Sequence, residues 1–371
     1  MKSPVLTALV ILFMNPPAAQ NPPVETPLLS PEDKANLVEV LRLQSDLGEE
    51  LWPGFGRADI PIILYTDRYE FLIGDSAPPS PWTVVDGDEF GGKPYHRRIS
   101  SHSQAFAVQV GGRWAGSIGS LAEMNRRGPL KMGRESYIPL VQHEMFHAFQ
   151  GVVAPDRFKQ AQQVYASEAR YPAKQAEFVA AWDKEGALLA AALSTSDRAA
   201  LPGKVREFLQ ARDGRRAQAG LTSDSLAFER ELEWLEGLAK YVEDRASDLA
   251  SARKSDPQYA FYRLPFWRQA DMFRLTKQLG HQDGDLRFYL SGMAQAKLLD
   301  QLSPGWKQKV MQRGVYLEDL LRAAVKCPPK RERWERKASC LLVPPAPLVV
   351  KTAQAGQDAC APRAWAFHGR A

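Results

Sequence analysis

Hydrophobic and polar positions change their period once along this 371-residue chain, near residue 135. Before that point the apolar residues fall mostly in short β-rich runs. After it they recur at three and four residues, the spacing of a helix face. The first element is an exception. Ser30-Pro31-Glu32-Asp33 sets a capping serine before a proline at the first helical position, which predicts a helix to about Leu51. Five runs, at 60–66, 81–85, 94–99, 105–110 and 113–118, then read as strands bounded by Gly, Pro and Asp. Gly111-Gly112 predicts a tight hairpin between the last two.

From Glu135 to about Val325 the pattern is almost wholly helical. Val141, Met145, Ala148 and Val152 share one helix face, with Ser136 placed to cap it and Pro139 in its first turn, where amides lack intrahelical partners. Phe178, Trp182, Leu189 and Leu193 mark a second helix, and Val205 with Phe208 a third. Phe228, Leu232, Leu235, Ala239 and Val242 trace a further stripe. The chain is therefore expected to be α+β: an N-terminal helix plus a small mixed β-sheet region over 31–134, then a mainly helical half over 135–325. A helical insertion at 151–225 either caps a cleft or forms a packing layer.

The ends carry other signals. Residues 1–20 hold Lys2, an apolar run from Val5 to Met14 and then Pro16, Pro17, Ala18 and Ala19, the composition of a secretory signal peptide cleaved near Ala19. A secreted or periplasmic location is expected. That run is far below the ~20 residues that span a bilayer, and no later segment is long and uncharged enough, so no stable membrane insertion is expected. No cysteine follows it to carry a lipid anchor. Residues 21–30 read as a linker and 326–371 as a tail. All three cysteines, Cys327, Cys340 and Cys360, lie in that tail, where an oxidising compartment favours one disulfide of open pairing. Their spacing does not suit a thiolate metal site. Net charge is a mild +5, with the densest basic run from Lys326 to Lys337 reading as a solvated loop. Nothing resembles a nucleic-acid module, so no nucleic-acid partner is expected.

Candidate chemistry sits where the helical half opens. In VQHEMFHAFQ, residues 141–150, His143 and His147 lie one helical turn apart with Glu144 between them. Two imidazoles at that spacing can point at one Zn²⁺, while the glutamate reaches the water instead. A third ligand is sought on the stripe in residues 229–246. Glu229, Glu233 and Glu236 lie together beside it, and Glu236 is marked by Gly237. A mid-helix glycine costs ~1 kcal/mol relative to alanine, and close packing against the histidine helix is the expected reason for it.

HEMFH, followed far downstream by WLEGLAKYVE, resembles the gluzincin metallopeptidases, especially the peptidase MA-like families. The resemblance covers roughly 105–325 and implies a zincin-like fold and a peptide or protein substrate. It makes His143, His147 and Glu236 the ligands of one catalytic zinc and Glu144 the general base. FYLSGMAQAKLLDQL, 288–302, is similar to a Tyr-x-x-Gly segment of gluzincin aminopeptidases, which implies that Tyr289 stabilises the oxyanion; Ser291 stands where lysine is frequent. Tyr262 is a rival by chemistry alone. Lys240 replaces an acidic residue that orients a zinc histidine in the thermolysin-like branch, leaving Glu229 and Glu233 as candidates for that task. No aminopeptidase Gly-x-Met-Glu-Asn motif is present. The run RWAGSI is expected to lie along the cleft and pair with substrate backbone. The alternative reading is a zinc-stabilised or degenerate gluzincin domain that binds without hydrolysing, although such a domain has no need of Glu144.

Overall fold

The computed structural model describes residues 27–100, 105–128, 131–262 and 266–326. The expected signal segment, most of the expected linker and the three cysteines lie outside them.

Helix α1 (Pro31–Leu51) begins as its sequence dictates. Ser30 accepts a hydrogen bond from the Asp33 amide at 3.0 Å, and Pro31 fills a position whose N–H would have no partner. Leu37, Val40, Leu43, Leu47 and Leu51 then bury one face. A six-stranded mixed sheet follows, from β1 (Ile62–Tyr65), β2 (Tyr69–Ile73), β3 (Thr83–Val84), β4 (His96–Ile99), β5 (Phe106–Val110) and β6 (Arg113–Gly119). Its order is β3-β4-β2-β1-β6-β5, with β1 and β6 parallel and all other neighbours antiparallel.

Strand β2 escapes the sequence pattern because Glu70 interrupts its apolar run. In the sheet Glu70 lies opposite Arg98 of β4 and accepts from it at 2.6 Å, so its charge is met. The run at 81–85 pairs only through Thr83 and Val84. Gly111 and Gly112 turn the β5–β6 hairpin with φ of +56° and +86°, a left-handed pair that favours glycine. Ile62, Leu64, Phe71 and Ile73 point into the main core; Ile63 and Leu72 face the other way, toward Trp82, Val110 and Ala115.

The remaining described chain is helical: α2 (Leu121–Arg127), α3 (Arg134–Val153), α4 (Pro155–Gln163), α5 (Ala176–Leu193), α6 (Leu201–Gln218), α7 (Ser223–Ala252), α8 (Phe266–Lys277), α9 (Leu286–Leu302), α10 (Trp306–Val310) and α11 (Leu317–Lys326). A 3-10 turn, Val164–Arg170, follows α4. Helix α7 is thirty residues long and packs on both α3 and α9. The architecture is α+β and zincin-like, a small mixed sheet followed by helices that carry a His/Glu cluster. Among the described residues no helix is long and apolar enough to cross a membrane.

Candidate metal centre

Helix α3 lies on the sheet through one close approach. A Cβ at Gly116 of β6 would stand 2.9 Å from the Met145 amide nitrogen and 3.0 Å from the Glu144 carbonyl carbon, so glycine lets strand and helix backbones meet there. The helix starts earlier than its sequence suggests. Ser136 and Tyr137 both donate their amides to the Gly133 carbonyl, which makes Gly133 the cap; Ser136 is buried and Pro139 falls in the second turn. Every residue from Val141 to Gly151 is buried, whereas Val152, expected on the apolar face, is exposed. A helix covered on all sides has no solvated face for its polar groups. His143, Glu144 and His147 therefore sit inside the protein and need partners there.

The partners come from α7. The Nε2 atoms of His143 and His147 are 3.1 Å apart, and Glu236 Oε2 lies 3.1 Å from His147 Nε2 and 3.8 Å from His143 Nε2. Each ring is held by its other nitrogen. His143 Nδ1 is 3.1 Å from Glu243 Oε2, and His147 Nδ1 is 3.0 Å from Gln150 Oε1. Gln150 donates its amide to the carbonyls of Trp234 and Leu235, so its oxygen faces the ring and fixes the tautomer. With both Nδ1 atoms donating, both Nε2 atoms present lone pairs to each other and to a carboxylate.

That arrangement lacks a positive charge. Among the described residues Glu236 Oε2 and Glu144 Oε2 are buried without a hydrogen-bond partner. Burial favours the neutral ring of His143, but the Glu236 and Glu243 carboxylates outweigh it and push this group up to about 10. Burial pushes Glu144 up to about 7 against the pull of the two histidines. Burial would also raise Glu236, yet the two imidazoles hold it well below the usual carboxylate range. A proton or a metal would supply the charge that the cluster lacks. Two imidazole nitrogens and a carboxylate oxygen are the donor set that suits zinc.

Several sequence expectations are corrected. Neither Glu229 nor Glu233 orients a histidine. Glu229 is held by Arg215 and Arg216, Glu233 by Arg212 at 2.6 Å and by the Ser291 hydroxyl at 2.6 Å. Glu243 touches His143 instead, and Lys240 anchors it at 2.7 Å, so the basic residue at that position serves the acidic one a turn later. Periodicity could have found Glu243, since 236, 240 and 243 share a helix face. Gly237 does not meet the histidine helix. A Cβ there would stand 2.5 Å from the Cα of Gly292, so this glycine permits the crossing of α7 and α9. Strand β6, which holds RWAGSI, is paired on both sides, with β1 and β5, and has no free edge for a substrate. The edge on that side is β5, whose Phe106 ring lies 4.7 Å from the His147 ring.

The tyrosines separate cleanly. Tyr262 donates its hydroxyl to Glu39 at 2.9 Å, on α1. Tyr289 stacks on His143, with ring centroids 5.6 Å apart. Burial, then the Glu236 and Asp285 charges, hold its hydroxyl protonated well above the ordinary phenol range. Sequence reasoning missed Tyr165. Its hydroxyl bonds to Asp285 Oδ2 at 2.6 Å and Glu236 Oε1 at 3.2 Å, a meeting of three elements with no local signal. The insertion thus divides: the turn after α4 reaches the cluster, while α5 and α6 pack on each other and on α8, α9 and α11.

No family model, curated protein or solved structure matches this chain. The gluzincin-like arrangement rests on His143, Glu144, His147 and Glu236 and their geometry.

Proposed function

We propose that this chain is an exported zinc-dependent metallopeptidase of the gluzincin type, close to the peptidase MA-like families, in which His143, His147 and Glu236 hold the metal. The observation that carries this reading is the buried pair of Nε2 atoms beside a carboxylate oxygen, Glu236 Oε2, that has no hydrogen-bond partner among the described residues. Zinc there would polarise a scissile carbonyl and make water a nucleophile at neutral pH. Glu144 takes the proton from the attacking water and passes it to the leaving amine; burial, which pushes this group up to about 7, suits both steps. Tyr289 keeps its proton and donates to the carbonyl oxygen as that oxygen gains negative charge. Strand β5, beside His147 and unpaired on its outer side among the described residues, offers backbone groups to an extended peptide. Export rests on the composition of residues 1–20.

The test is cleavage of a quenched peptide library by mature protein, with and without chelator, beside Glu144→Gln. Parent protein is expected to cleave and chelator to abolish cleavage. The introduced amide cannot accept a proton, so the variant should retain zinc and lose roughly 10²- to 10⁴-fold in rate. Hydrolysis at the parent rate by the variant would take the proton transfer away from Glu144; none by zinc-loaded parent would leave only a metal-binding domain.

A further inference from the structure

The turn Val164–Arg170 contains no buried residue. Of its apolar side chains, Val164 and Tyr165 pack half-buried against the core, and Tyr165 carries its hydroxyl further in. That hydroxyl, on Tyr165, lies between two carboxylates with different surroundings. Asp285 is the residue that precedes α9, and Glu236 lies on α7 with its other oxygen toward the two histidines. The Tyr165 ring rests against the core and edges against Phe228, with centroids 6.4 Å apart, and its polar end is held between the two carboxylates.

The two oxygens of Glu236 are in different states. Oε1, at 3.2 Å, shares the one Tyr165 proton with the nearer Asp285 Oδ2 at 2.6 Å; Oε2 has no donor among the described residues and faces both Nε2 atoms. We infer that Tyr165, held by Asp285, is a positioning residue for Glu236: it occupies Oε1 so that the carboxylate offers one oxygen, Oε2, to a cation. This rests on the reading of His143, His147 and Glu236 as a metal site. A carboxylate that gives one oxygen leaves a coordination position open for water and substrate, whereas one that gives two fills it. The insertion thereby sets the coordination number of the centre from outside the motif helices.

The experiment uses Co²⁺ as the probe in the full mature chain, comparing parent, Tyr165→Phe, Asp285→Asn and, as control, Tyr262→Phe, whose hydroxyl sits on Glu39. Parent should bind one Co²⁺ with the intense visible absorption of a low-coordinate site. Tyr165→Phe should bind it about tenfold or more weakly by chelator competition. Its band should weaken as the freed Oε1 raises the coordination number. Asp285→Asn should shift both readouts the same way by less, and Tyr262→Phe should match parent. In chelator Tyr165→Phe should melt somewhat below parent, because Asp285 and Glu236 lose a donor, and the gap should widen when Co²⁺ is bound. Parent affinity and parent absorption in Tyr165→Phe would overturn the inference, as would an equal loss of melting temperature with and without metal, which would assign Tyr165 to structure alone. The metal reading fails separately: if parent takes up no Co²⁺, or His147→Ala takes it up as well as parent, both fall.

Discussion

Helix α7 runs through two buried charge clusters that differ in one respect. Toward its start, Glu229, Arg230 and Glu233 join Glu185 of α5, Arg212, Arg215 and Arg216 of α6, and Glu318 of α11. Those are four guanidiniums against four carboxylates, with every carboxylate met by at least one arginine. One turn on, Glu236 joins His143, Glu144 and His147, and no fixed cation is among them. In the first cluster every carboxylate is met, although Arg216 Nη2 and Arg230 Nε lack a partner among the described residues; the second leaves two carboxylate oxygens without donors. Both are buried, so desolvation does not distinguish them. Balance does. A charge network that satisfies itself holds helices together, and one left short of a cation is built to receive something.

The sharpest test exchanges the two glutamates. Removing one partner of a buried, paired charge leaves the other uncompensated at roughly 3–5 kcal/mol. Glu233→Gln should therefore lower stability by about that much while metal binding persists, because Arg212 loses its bidentate partner. Glu236→Gln should act chiefly on the metal. It removes the carboxylate that faces both Nε2 atoms, so the variant should retain little zinc, while the Arg212 pair is untouched. Denaturant melts and metal content of the two proteins decide it. Zinc lost from Glu233→Gln and kept by Glu236→Gln would mean that the clusters have been assigned the wrong way round.

A smaller effect separates the tyrosines that border the open cluster from one that does not. Tyr289 stacks on His143, so Tyr289→Phe should lower kcat by ~10²-fold with little change in KM, the signature of a donor used in the transition state. Tyr262→Phe should leave kcat unchanged, since that hydroxyl belongs to Glu39. Steady-state kinetics on one peptide suffices. Equal rates for Tyr289→Phe and parent would return Tyr289 to packing.

Which parts were legible in the sequence follows from the range of each interaction. His143, Glu144 and His147 could be read directly, because their geometry is set within a single turn of one helix. Glu236 was legible through Gly237, though that glycine answers to Gly292 and not to the histidine helix. Glu229 and Glu233 could not be told from Glu236 by pattern. Their arginines are supplied by α6, and whether a glutamate finds one is a tertiary fact. Strand β2 was hidden by Glu70, whose partner Arg98 lies 28 residues on. The same holds for RWAGSI: a β-rich run does not say whether its strand is central or at an edge, and β6 is central. Tyr165 had no local signal at all.

The smallest expected effect is a dependence on pH that only the open cluster should show. In metal-free protein both His143 and Glu144 bind protons more tightly folded than unfolded, raised from 6.5 to about 10 and from 4.5 to about 7. Groups raised in this way contribute stability that is complete below their unfolded values and is lost as pH rises through their folded ones. Stripped protein should thus lose stability between about pH 5 and pH 10, first as Glu144 gives up its proton and then as His143 does. Zinc works in the opposite direction. It takes the place of the proton on Nε2, so its affinity rises with pH, and ligand bound to the folded state adds stability, ~4 kcal/mol at a thousandfold excess over Kd. The melting-temperature gap between zinc-loaded and chelated protein should therefore be narrow near pH 5 and widen to several degrees by about pH 9. The glutamates of the closed cluster cancel in this difference. Glu229, held down to about 2 by its arginines despite burial, stays ionised across the whole range in either sample. A gap that is constant from about pH 5 to pH 9 would show that protons and metal do not compete for the same nitrogens, and the open cluster would then be no more receptive to a cation than its closed neighbour.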